Sequence, residues 1–306
     1  MKVLFEPIEW LKQFKQATKT GNGLHELRAE IYRQTLQMVK QKGYYLENEW
    51  VELSEICSVD TVFYEKPQIL TPKQLNIETK FSVIEADCIE TADLLQTAGY
   101  HVCVLNMASR QNPGGGVIKG AGAQEENIFR RSNIFCSMYQ FVDYCSRYNI
   151  ERNKNFSYPL NRNSGGIYSR NVTVFRSSEK TGYHLLKNPF KTNFVSVPAL
   201  NKPQLDLIDG TYLMSSPLIE ATKEKIRTIL RIAGSFHHDC LVLSAFGCGA
   251  FRNPPNHIAS LFHEVFSEKE FFNQFRLIVF SIIDDHNAWR EHNPHGNVIP
   301  FQKQFE

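Results

Sequence analysis

Apolar runs and helical spacing alternate along this chain and predict strands and helices in turn. Short apolar runs have the length of buried strands, and they lie at residues 81–86, 101–105, 172–175, 194–198, 240–246 and 277–283. Apolar residues at helical spacing predict helices over residues 24–42, 90–97, 219–233 and 255–266. Near-continuous apolar strands that alternate with helices are typical of a mostly parallel sheet covered on both faces.

No internal repeat, low-complexity tract or linker interrupts this alternation. The pattern therefore predicts a single α/β domain over residues 1–306, with helices on both faces of the sheet. Residues 1–48 are expected to form an N-terminal helical extension. Residues 149–166 are rich in Asn, Arg and Tyr, which predicts a long surface loop.

Charge and cysteine content exclude several classes of function. The net charge of +2 is too small to favour a nucleic-acid binder, and no basic run is present. The seven cysteines include no CxxC pair, so buried thiols are expected instead of a disulfide framework or a zinc ribbon. The N-terminus has no signal-peptide core and no apolar run could span a bilayer, which favours a cytoplasmic protein. Secretion by a non-classical route stays open.

A glycine run followed by two glutamates is the most informative stretch. Residues 112–116 read NPGGG, and Gln124, Glu125 and Glu126 follow shortly after. Three glycines let a backbone lie against a ligand with no Cβ between them. The next residues, to Cys145, are predicted to be helical, which places both glutamates in the first turn. Acid–base chemistry on a glycosidic bond suits this combination, whereas an ordinary charged helix start is the alternative interpretation.

A second glycine turn, at residues 247–251, follows another predicted strand. Ligands of α/β sheets bind beyond the carboxyl ends of the strands. Because Pro254 and Pro255 open a helix there, backbone N–H groups and the helix dipole could bind a diphosphate. A plain tight connection is the alternative interpretation of this turn.

Several segments together resemble one known family. Residues 106–116 (NMASRQNPGGG), with seven residues before the QEE triplet, resemble the signature of poly(ADP-ribose) glycohydrolases, most of all the compact microbial type built on a macrodomain. Other segments are similar in family order, at residues 28–44, 167–176, 197–201 and 245–254. The similarity spans residues 24–287.

The resemblance implies a macrodomain-like α/β/α fold with a mixed, mostly parallel sheet that binds ADP-ribose and hydrolyses a bond at the distal ribose C1″. It implies that Glu126 is the catalytic acid/base and that Glu125 contacts a ribose hydroxyl. It also implies substrate-binding residues: Asn106, Asn112, Gly114, Gly115 and Gly116 around the distal ribose, Gly247, Gly249 and Ala250 along the diphosphate with Phe251 against the ribose or base, Asp87 at the adenine, and Gln124. As a lone residue, Asp87 would be interpreted as a helix cap.

Helix geometry supports separate roles for the two glutamates. Adjacent helix residues point about 100° apart, so Glu125 and Glu126 cannot both address one atom. Their mutual repulsion should raise one carboxyl pKa, while the helix N-terminus opposes that change. Departures from the family pattern concern the acceptor side: Ser177 and Ser178 stand where an acidic residue is expected, and Lys119 adds a charge beside the glycine run.

Two alternative functions stay open at this point. One is a hydrolase that removes a single ADP-ribose, for example from arginine, without cleaving chains. The other is a non-catalytic reader of ADP-ribose. No cofactor and no metal are expected, because Asp284, Asp285 and His286, with His292 and His295, match no metal site. The expected partners are ADP-ribose or an ADP-ribosylated protein, and the protein is expected to be a monomer without membrane or nucleic-acid binding.

Overall fold

The structure is a computed structural model that describes residues 6–53, 60–71, 78–284 and 289–306. The helices are α1 (Pro7–Thr20), α2 (Leu24–Lys40), α3 (Cys88–Thr97), α4 (Gln124–Arg131), α5 (Ile134–Met138), α6 (Ser216–Ser235), α7 (Pro255–Phe266) and α8 (Val298–Phe305). The strands are β1 (Gly43–Leu46), β2 (Glu49–Glu52), β3 (Thr61–Tyr64), β4 (Lys80–Glu85), β5 (Val102–Met107), β6 (Gly166–Arg176), β7 (Leu185–Val197), β8 (Leu205–Ile208), β9 (Thr211–Met214), β10 (Cys240–Leu243) and β11 (Leu277–Ile282).

One large sheet contains seven strands in the order β3-β6-β7-β5-β10-β11-β4. Strands β5, β10, β11 and β4 are parallel, with Cys240 opposite both Val102 and Leu277. Two separate antiparallel hairpins, β1–β2 and β8–β9, complete the strands of the described residues. The parallel strands are runs that the apolar pattern predicted, since strands covered on both faces have few polar positions. The predicted α/β fold class, a mixed sheet with flanking helices, is confirmed.

The chain forms two compact units. The first unit consists of Met1–Val62, Gln111–Pro159 and Ser169–Asn193. The second unit consists of Phe63–Arg110, Leu160–Tyr168 and Phe194–Glu306. The prediction of one domain over residues 1–306 stays a prediction.

The N-terminal helices pack within the first unit. Trp10 of α1 stacks on Phe14 with ring centroids 4.8 Å apart and meets Tyr183 edge-on at 5.1 Å. Ile31 of α2 is fully buried in the same cluster. Aromatic burial of this kind fixes α1, which the sequence pattern left without a position. The hairpin β1–β2 follows α2, and its turn includes residue 48, where the helical extension was predicted to end.

The predicted continuous helix from the glutamates to Cys145 is wrong. Helix α4 ends at Arg131, and Ser132 is extended (φ −147°, ψ 172°) and forms a β-bridge with Val174. The Thr173 N–H donates to Asn133 Oδ1 at 2.7 Å, and the Asn133 N–H donates to the Thr173 carbonyl at 3.2 Å. Strand-type pairing with β6 thus replaces the helical hydrogen bonds, and the chain resumes a helix only at α5.

Helix α6 supplies an apolar face to the core of the second unit. Ile226, Ile229, Leu230 and Ala233 are fully buried and recur at intervals of three and four residues, as expected for one face of a helix. The predicted helix over residues 219–233 is therefore confirmed, with bounds extended to those of α6.

The chain leaves the second unit after Arg110 and returns to it at Leu160. These two residues pair: the Leu160 N–H donates to the Arg110 carbonyl at 3.0 Å, and Arg110 Nη1 donates to the Leu160 carbonyl at 3.2 Å. Lys225 of α6 is buried, and its Nζ donates to the Arg162 carbonyl at 2.6 Å. The ends of the segment 111–159 are therefore joined.

Candidate active site

Both predicted catalytic residues lie in the first turn of α4, as the sequence analysis expected. The carboxyl side chains are buried, with 3% of Glu125 and 7% of Glu126 exposed. Burial of a carboxylate is costly unless it is hydrogen-bonded, so its partners decide what it can do. We call residues 112–116 and 124–126 the glycine–glutamate site.

Backbone amides of the glycine run bind both carboxylates. The Gly114 N–H donates to Glu125 Oε1 at 3.0 Å, and the Gly116 N–H donates to Glu126 Oε1 at 2.8 Å. The two carboxylates thus accept hydrogen bonds from amides that are two residues apart in the chain. In the described part of the chain, Glu126 Oε2 accepts no hydrogen bond. The two carboxylates therefore accept from different backbone amides.

Gly115 lies directly against the two carboxylates. Its φ of +53° is unfavourable for residues with a Cβ, and an added Cβ would lie 2.5 Å from Glu126 Oε1 and 3.3 Å from Glu125 Oε2. The sequence analysis expected this glycine to make room for a ligand. The structure shows that it also makes room for the glutamates, so loop and carboxylates form one packed unit.

A pair of ions borders the site. Arg28 Nε and Nη2 donate to the two carboxylate oxygens of Glu179, each at 2.7 Å. Burial alone would lower the Arg28 pKa, but the hydrogen bond to Glu179 and the negative charges of Glu179 and Glu126 raise it. Arg28 therefore stays charged and contributes a positive potential at Glu126.

A second arginine holds the chain between the glycine run and α4. Arg130 is fully buried; its Nη1 donates to the Ala121 carbonyl at 2.7 Å and its Nε to the Tyr183 hydroxyl at 2.8 Å. The Tyr183 hydroxyl donates in turn to Glu179 at 3.1 Å. None of these residues was predicted from the sequence. The one available signal was Glu179, which is the acidic residue nearest in sequence to Ser177 and Ser178.

The second unit contains the other glycine turn, residues 247–251, which we call the Gly247 loop. Gly247 has a φ of +75°, and an added Cβ would lie 2.5 Å from Ala199 Cβ. The Asn253 Nδ2 donates to the carbonyls of Leu200 at 2.7 Å and of Gly247 at 3.0 Å. Ala250 is exposed. The loop is thus fixed by one amide side chain, and α7 begins just after it at Pro255.

Two further predicted residues lie at the carboxyl ends of parallel strands in the second unit. Asp87 follows β4 and caps α3, with its Oδ1 accepting from the Ile89 and Glu90 N–H groups at 3.0 Å each. Asn106, in β5, is fully buried, and its Nδ2 donates to Ser196 Oγ at 3.0 Å. A cap is what the simplest interpretation of Asp87 expected, and its contact with adenine stays a prediction.

The predicted site residues therefore divide between the units. The first unit contains Asn112, Gly114, Gly115, Gly116, Gln124, Glu125 and Glu126, and the second contains Asp87, Asn106, Gly247, Gly249, Ala250 and Phe251.

No group of three potential metal-ligating side chains is found among the described residues. Asp285 and His286 lie outside them. No described helix is long and apolar enough to cross a membrane.

Comparisons with known proteins bear on the same segments. Residues 32–177 match the family model of the microbial-type PARG catalytic domain. The poly(ADP-ribose) glycohydrolase (PARG) of Thermomonospora curvata has a similar fold, with a TM-score of 0.72 and 26% identity over 91% of this chain and 99% of that one. No curated protein matches the sequence.

Two similar structures contain ligands. The T. curvata enzyme bound to the inhibitor ADP-HPD gives a TM-score of 0.69 at 26% identity, over 91% of this chain and 99% of that one. The Deinococcus radiodurans PARG in complex with ADP-ribose gives 0.62 at 25% identity, over 84% of this chain and 99% of that one. The resemblance of this chain to microbial-type poly(ADP-ribose) glycohydrolases is therefore confirmed, over residues 32–177 by the family model and over most of the chain by the fold.

Proposed function

We propose that this protein is an ADP-ribosyl glycohydrolase. It cleaves the glycosidic bond at the distal ribose of ADP-ribose attached to a macromolecule, and so reverses ADP-ribosylation. The observation that supports this most is the glycine–glutamate site, where one carboxylate oxygen of Glu126 is fixed by a backbone amide while the other accepts no hydrogen bond within the described residues. The matched family segment includes this whole site.

Glu126 is the acid and base in this proposal. Ribosyl bonds break through an oxocarbenium-like state, so one group must protonate the departing atom and then activate water. The Gly116 N–H orients the Glu126 carboxyl through Oε1, which directs Oε2 to the departing atom. Glu125, bound to a different amide, is left to contact a ribose hydroxyl. Arg28 places a positive charge near Glu126.

The binding roles belong to the other predicted residues. We assign the distal ribose to Asn106, Asn112, Gln124 and the glycines of the NPGGG run. The Gly247 loop takes the diphosphate, because a glycine turn before a helix presents N–H groups to an anion, and its last residue, Phe251, lies against the ribose or base of the adenosine. Asp87 takes the adenine amino group. Relatives solved with ADP-ribose or ADP-HPD agree with this class of ligand.

The substrate we favour is poly(ADP-ribose), since the family model and the similar structures are glycohydrolases of that polymer. A mono-ADP-ribosyl hydrolase is the second candidate, because exposed Lys119 adds a charge next to the glycine run, on the acceptor side. A non-catalytic reader is disfavoured, since a reader has no use for a buried, oriented carboxyl at Glu126.

One experiment separates these candidates. The protein is incubated with labelled poly(ADP-ribose) and, separately, with arginine-linked and glutamate-linked mono-ADP-ribosyl proteins. We expect release of ADP-ribose from the polymer, by a protein that sediments as a monomer. Hydrolysis of a mono-linked protein alone would favour the second candidate. Hydrolysis of none would overturn the proposal, and calorimetry that shows no preference for ADP-ribose over ribose would overturn ADP-ribose binding as well.

A further inference from the structure

A separate pocket opens on the second unit beside the Gly247 loop. Its volume is about 280 Å³, and its polar lining consists of Lys202, Tyr212, Arg252, Glu291 and His292. None of these residues has a role in the site proposed above. The pocket adjoins the loop directly, because the Lys202 N–H donates to the Phe251 carbonyl at 2.8 Å and Arg252 follows Phe251 in the chain.

Two cations of this pocket have no carboxylate partner in the part of the chain that the structure describes. Within the described residues, neither Lys202 nor Arg252 forms an ion pair, and both are exposed. Arginine and lysine with free donors and no counter-charge are the usual ligands of phosphate oxygens.

Both cations also have an uncommon backbone conformation. Lys202 has a φ of 49° and Arg252 a φ of 56°, in the left-handed region that residues with a Cβ seldom occupy. Hydrogen bonds hold them there, from the Lys202 N–H to Phe251 and from the Arg252 N–H to the Gly249 carbonyl at 3.0 Å. Strained residues that persist in a fold are concentrated at ligand sites. Here the strain places two positive side chains on one pocket.

The opposite lining supplies groups suited to hydroxyls. Glu291 accepts from the Tyr212 hydroxyl at 3.2 Å. His292 Nε2 is buried and has no hydrogen-bond partner among the described residues, a state that costs free energy until a ligand supplies the bond. Burial and the charges of Arg252 and Arg290 lower the pKa of His292, so this imidazole is neutral near pH 7 and can donate or accept.

We propose that this pocket binds a phosphorylated sugar, with the phosphate between Lys202 and Arg252 and the sugar hydroxyls at Glu291 and His292. The volume of about 280 Å³ lies just below the range of roughly 300–1,000 Å³ that is usual for ligand pockets, so one phosphorylated pentose fits better than a dinucleotide. Two sources have this chemistry: a neighbouring unit of an ADP-ribose polymer, or a free sugar phosphate. The polymer source rests on the proposed function, in which Phe251 lies against the adenosine; the pocket itself does not.

The first test needs no catalysis. Ribose 5-phosphate is titrated into the protein while the imidazole signal of His292, assigned by its loss in His292→Asn, is followed by NMR. The comparison is Lys202→Asn/Arg252→Asn, because asparagine tolerates the left-handed conformation. The control Lys269→Asn/Lys303→Asn removes two exposed charges elsewhere in the second unit. We expect saturable binding by the wild type and the control, and binding at least about tenfold weaker in the first variant.

The second test identifies the source. If affinity for ADP-ribose oligomers falls in Lys202→Asn/Arg252→Asn while affinity for single ADP-ribose stays within about twofold, the polymer is the ligand. If oligomer affinity is unchanged although ribose 5-phosphate binding is lost, the ligand is a free sugar phosphate. Three results would each overturn the proposal. The first two are no saturable shift of the His292 signal in the wild type and an equal shift in Lys202→Asn/Arg252→Asn. The third is an equal loss of affinity for single ADP-ribose and for oligomers in that variant. A wild-type protein without hydrolase activity would refute the proposed function but leave the titration informative.

Discussion

Two glycine loops of this protein are fixed by different kinds of partner. In the glycine–glutamate site, the N–H groups of Gly114 and Gly116 donate to the carboxylates of Glu125 and Glu126. In the Gly247 loop, the amide of Asn253 donates to backbone carbonyls. The first loop is therefore bound by the groups that are proposed to react, and the second by an uncharged side chain that does not titrate.

This difference separates chemistry from binding. Where the same carboxylate shapes a loop and transfers a proton, a change in the loop must also change the reacting group. Where an amide shapes the loop, the loop can be altered without effect on proton transfer. We expect substitutions in the first loop to lower kcat and substitutions in the second to weaken substrate binding.

Glu126→Gln should have the largest effect. The amide keeps the hydrogen bond from Gly116 but cannot donate and recover a proton. The rate of ADP-ribose release should fall by about 10²–10⁴-fold, the usual contribution of general acid–base catalysis. Calorimetry should show little change in affinity for ADP-ribose. Glu90→Gln is the matched control, because Glu90 is an exposed first-turn glutamate of α3; wild-type rates in Glu126→Gln would refute the mechanism.

Gly115→Ala should follow. The new Cβ would lie 2.5 Å from Glu126 Oε1 and must displace that carboxyl. Misplacement of a reacting group by about 1 Å can cost about 10²-fold in rate, so kcat should fall more than ADP-ribose affinity does. Gly21→Ala is the control for backbone strain, since Gly21 has a φ of +72° and open space around its Cβ position. A change in affinity alone would contradict the contrast drawn above.

Gly247→Ala should produce the opposite pattern. Its Cβ would lie 2.5 Å from Ala199 Cβ and 2.6 Å from Asn253 Nδ2, so the loop must shift. We expect affinity for ADP-ribose to fall about tenfold, the loss of roughly one hydrogen bond to a charged group, with kcat at saturation nearly unchanged. Gly99→Ala, with a φ of +87° and no neighbouring atoms, controls for strain in the same unit. A fall in kcat without a change in affinity would refute the assignment.

Burial of charge gives a further contrast. Lys225 is buried, and among the described residues its Nζ donates to one group, the Arg162 carbonyl. Burial and repulsion from Arg110 and Arg162 lower its pKa from 10.5 to about 8. Above pH 8 the folded state loses this proton while the unfolded state keeps it, so stability should rise with pH up to 10.5.

The corresponding measurement compares wild type with Lys225→Met by urea unfolding. Between about pH 7.5 and about pH 9, the wild-type free energy of unfolding should gain about 1 kcal/mol relative to the variant. The variant serves as the control for tyrosines and cysteines that titrate in the same range. A pH-independent difference, or one that falls with pH, would show that Lys225 is not held with a lowered pKa.

EDTA should have no effect on hydrolysis. The proposed proton transfers use Glu126, whose Oε1 already accepts a backbone hydrogen bond. Activity of the wild type before and after chelation is the measurement, with added magnesium as the comparison. Loss of activity that magnesium restores would place the reaction in a metal-dependent class.

The sequence predicted the regular elements where periodicity was strong. Helix α7 has the predicted bounds, and β4, β5, β10 and β11 match apolar runs. Strands β6 and β7 were predicted too short, because exposed residues such as Arg170 and Asn171 interrupt the apolar pattern of β6. The break at Ser132 has no periodic signal, since it depends on pairing with a strand about forty residues later.

The sequence predicted which residues form the candidate site, but not the hydrogen bonds that orient their side chains. Spacing placed the glutamates in the first turn of α4, and helix geometry predicted that they cannot both address one atom. The partners of the carboxylates could not be predicted, because a bond from Gly116 to Glu126 depends on how the intervening turn closes. Arg28 is still more remote in sequence from the residues it borders, so only the fold brings it there.

The pairing of Arg110 with Leu160 has a consequence for changes in the length of the segment between them. A segment whose ends are joined behaves as a closed loop, and the entropy of closing such a loop grows only slowly, by about 0.6 kcal/mol for each doubling of its length. Insertions or deletions between the joined residues thus cost little at the junction. A change in the length of the irregular stretch before Leu160 should therefore alter the free energy of unfolding only slightly.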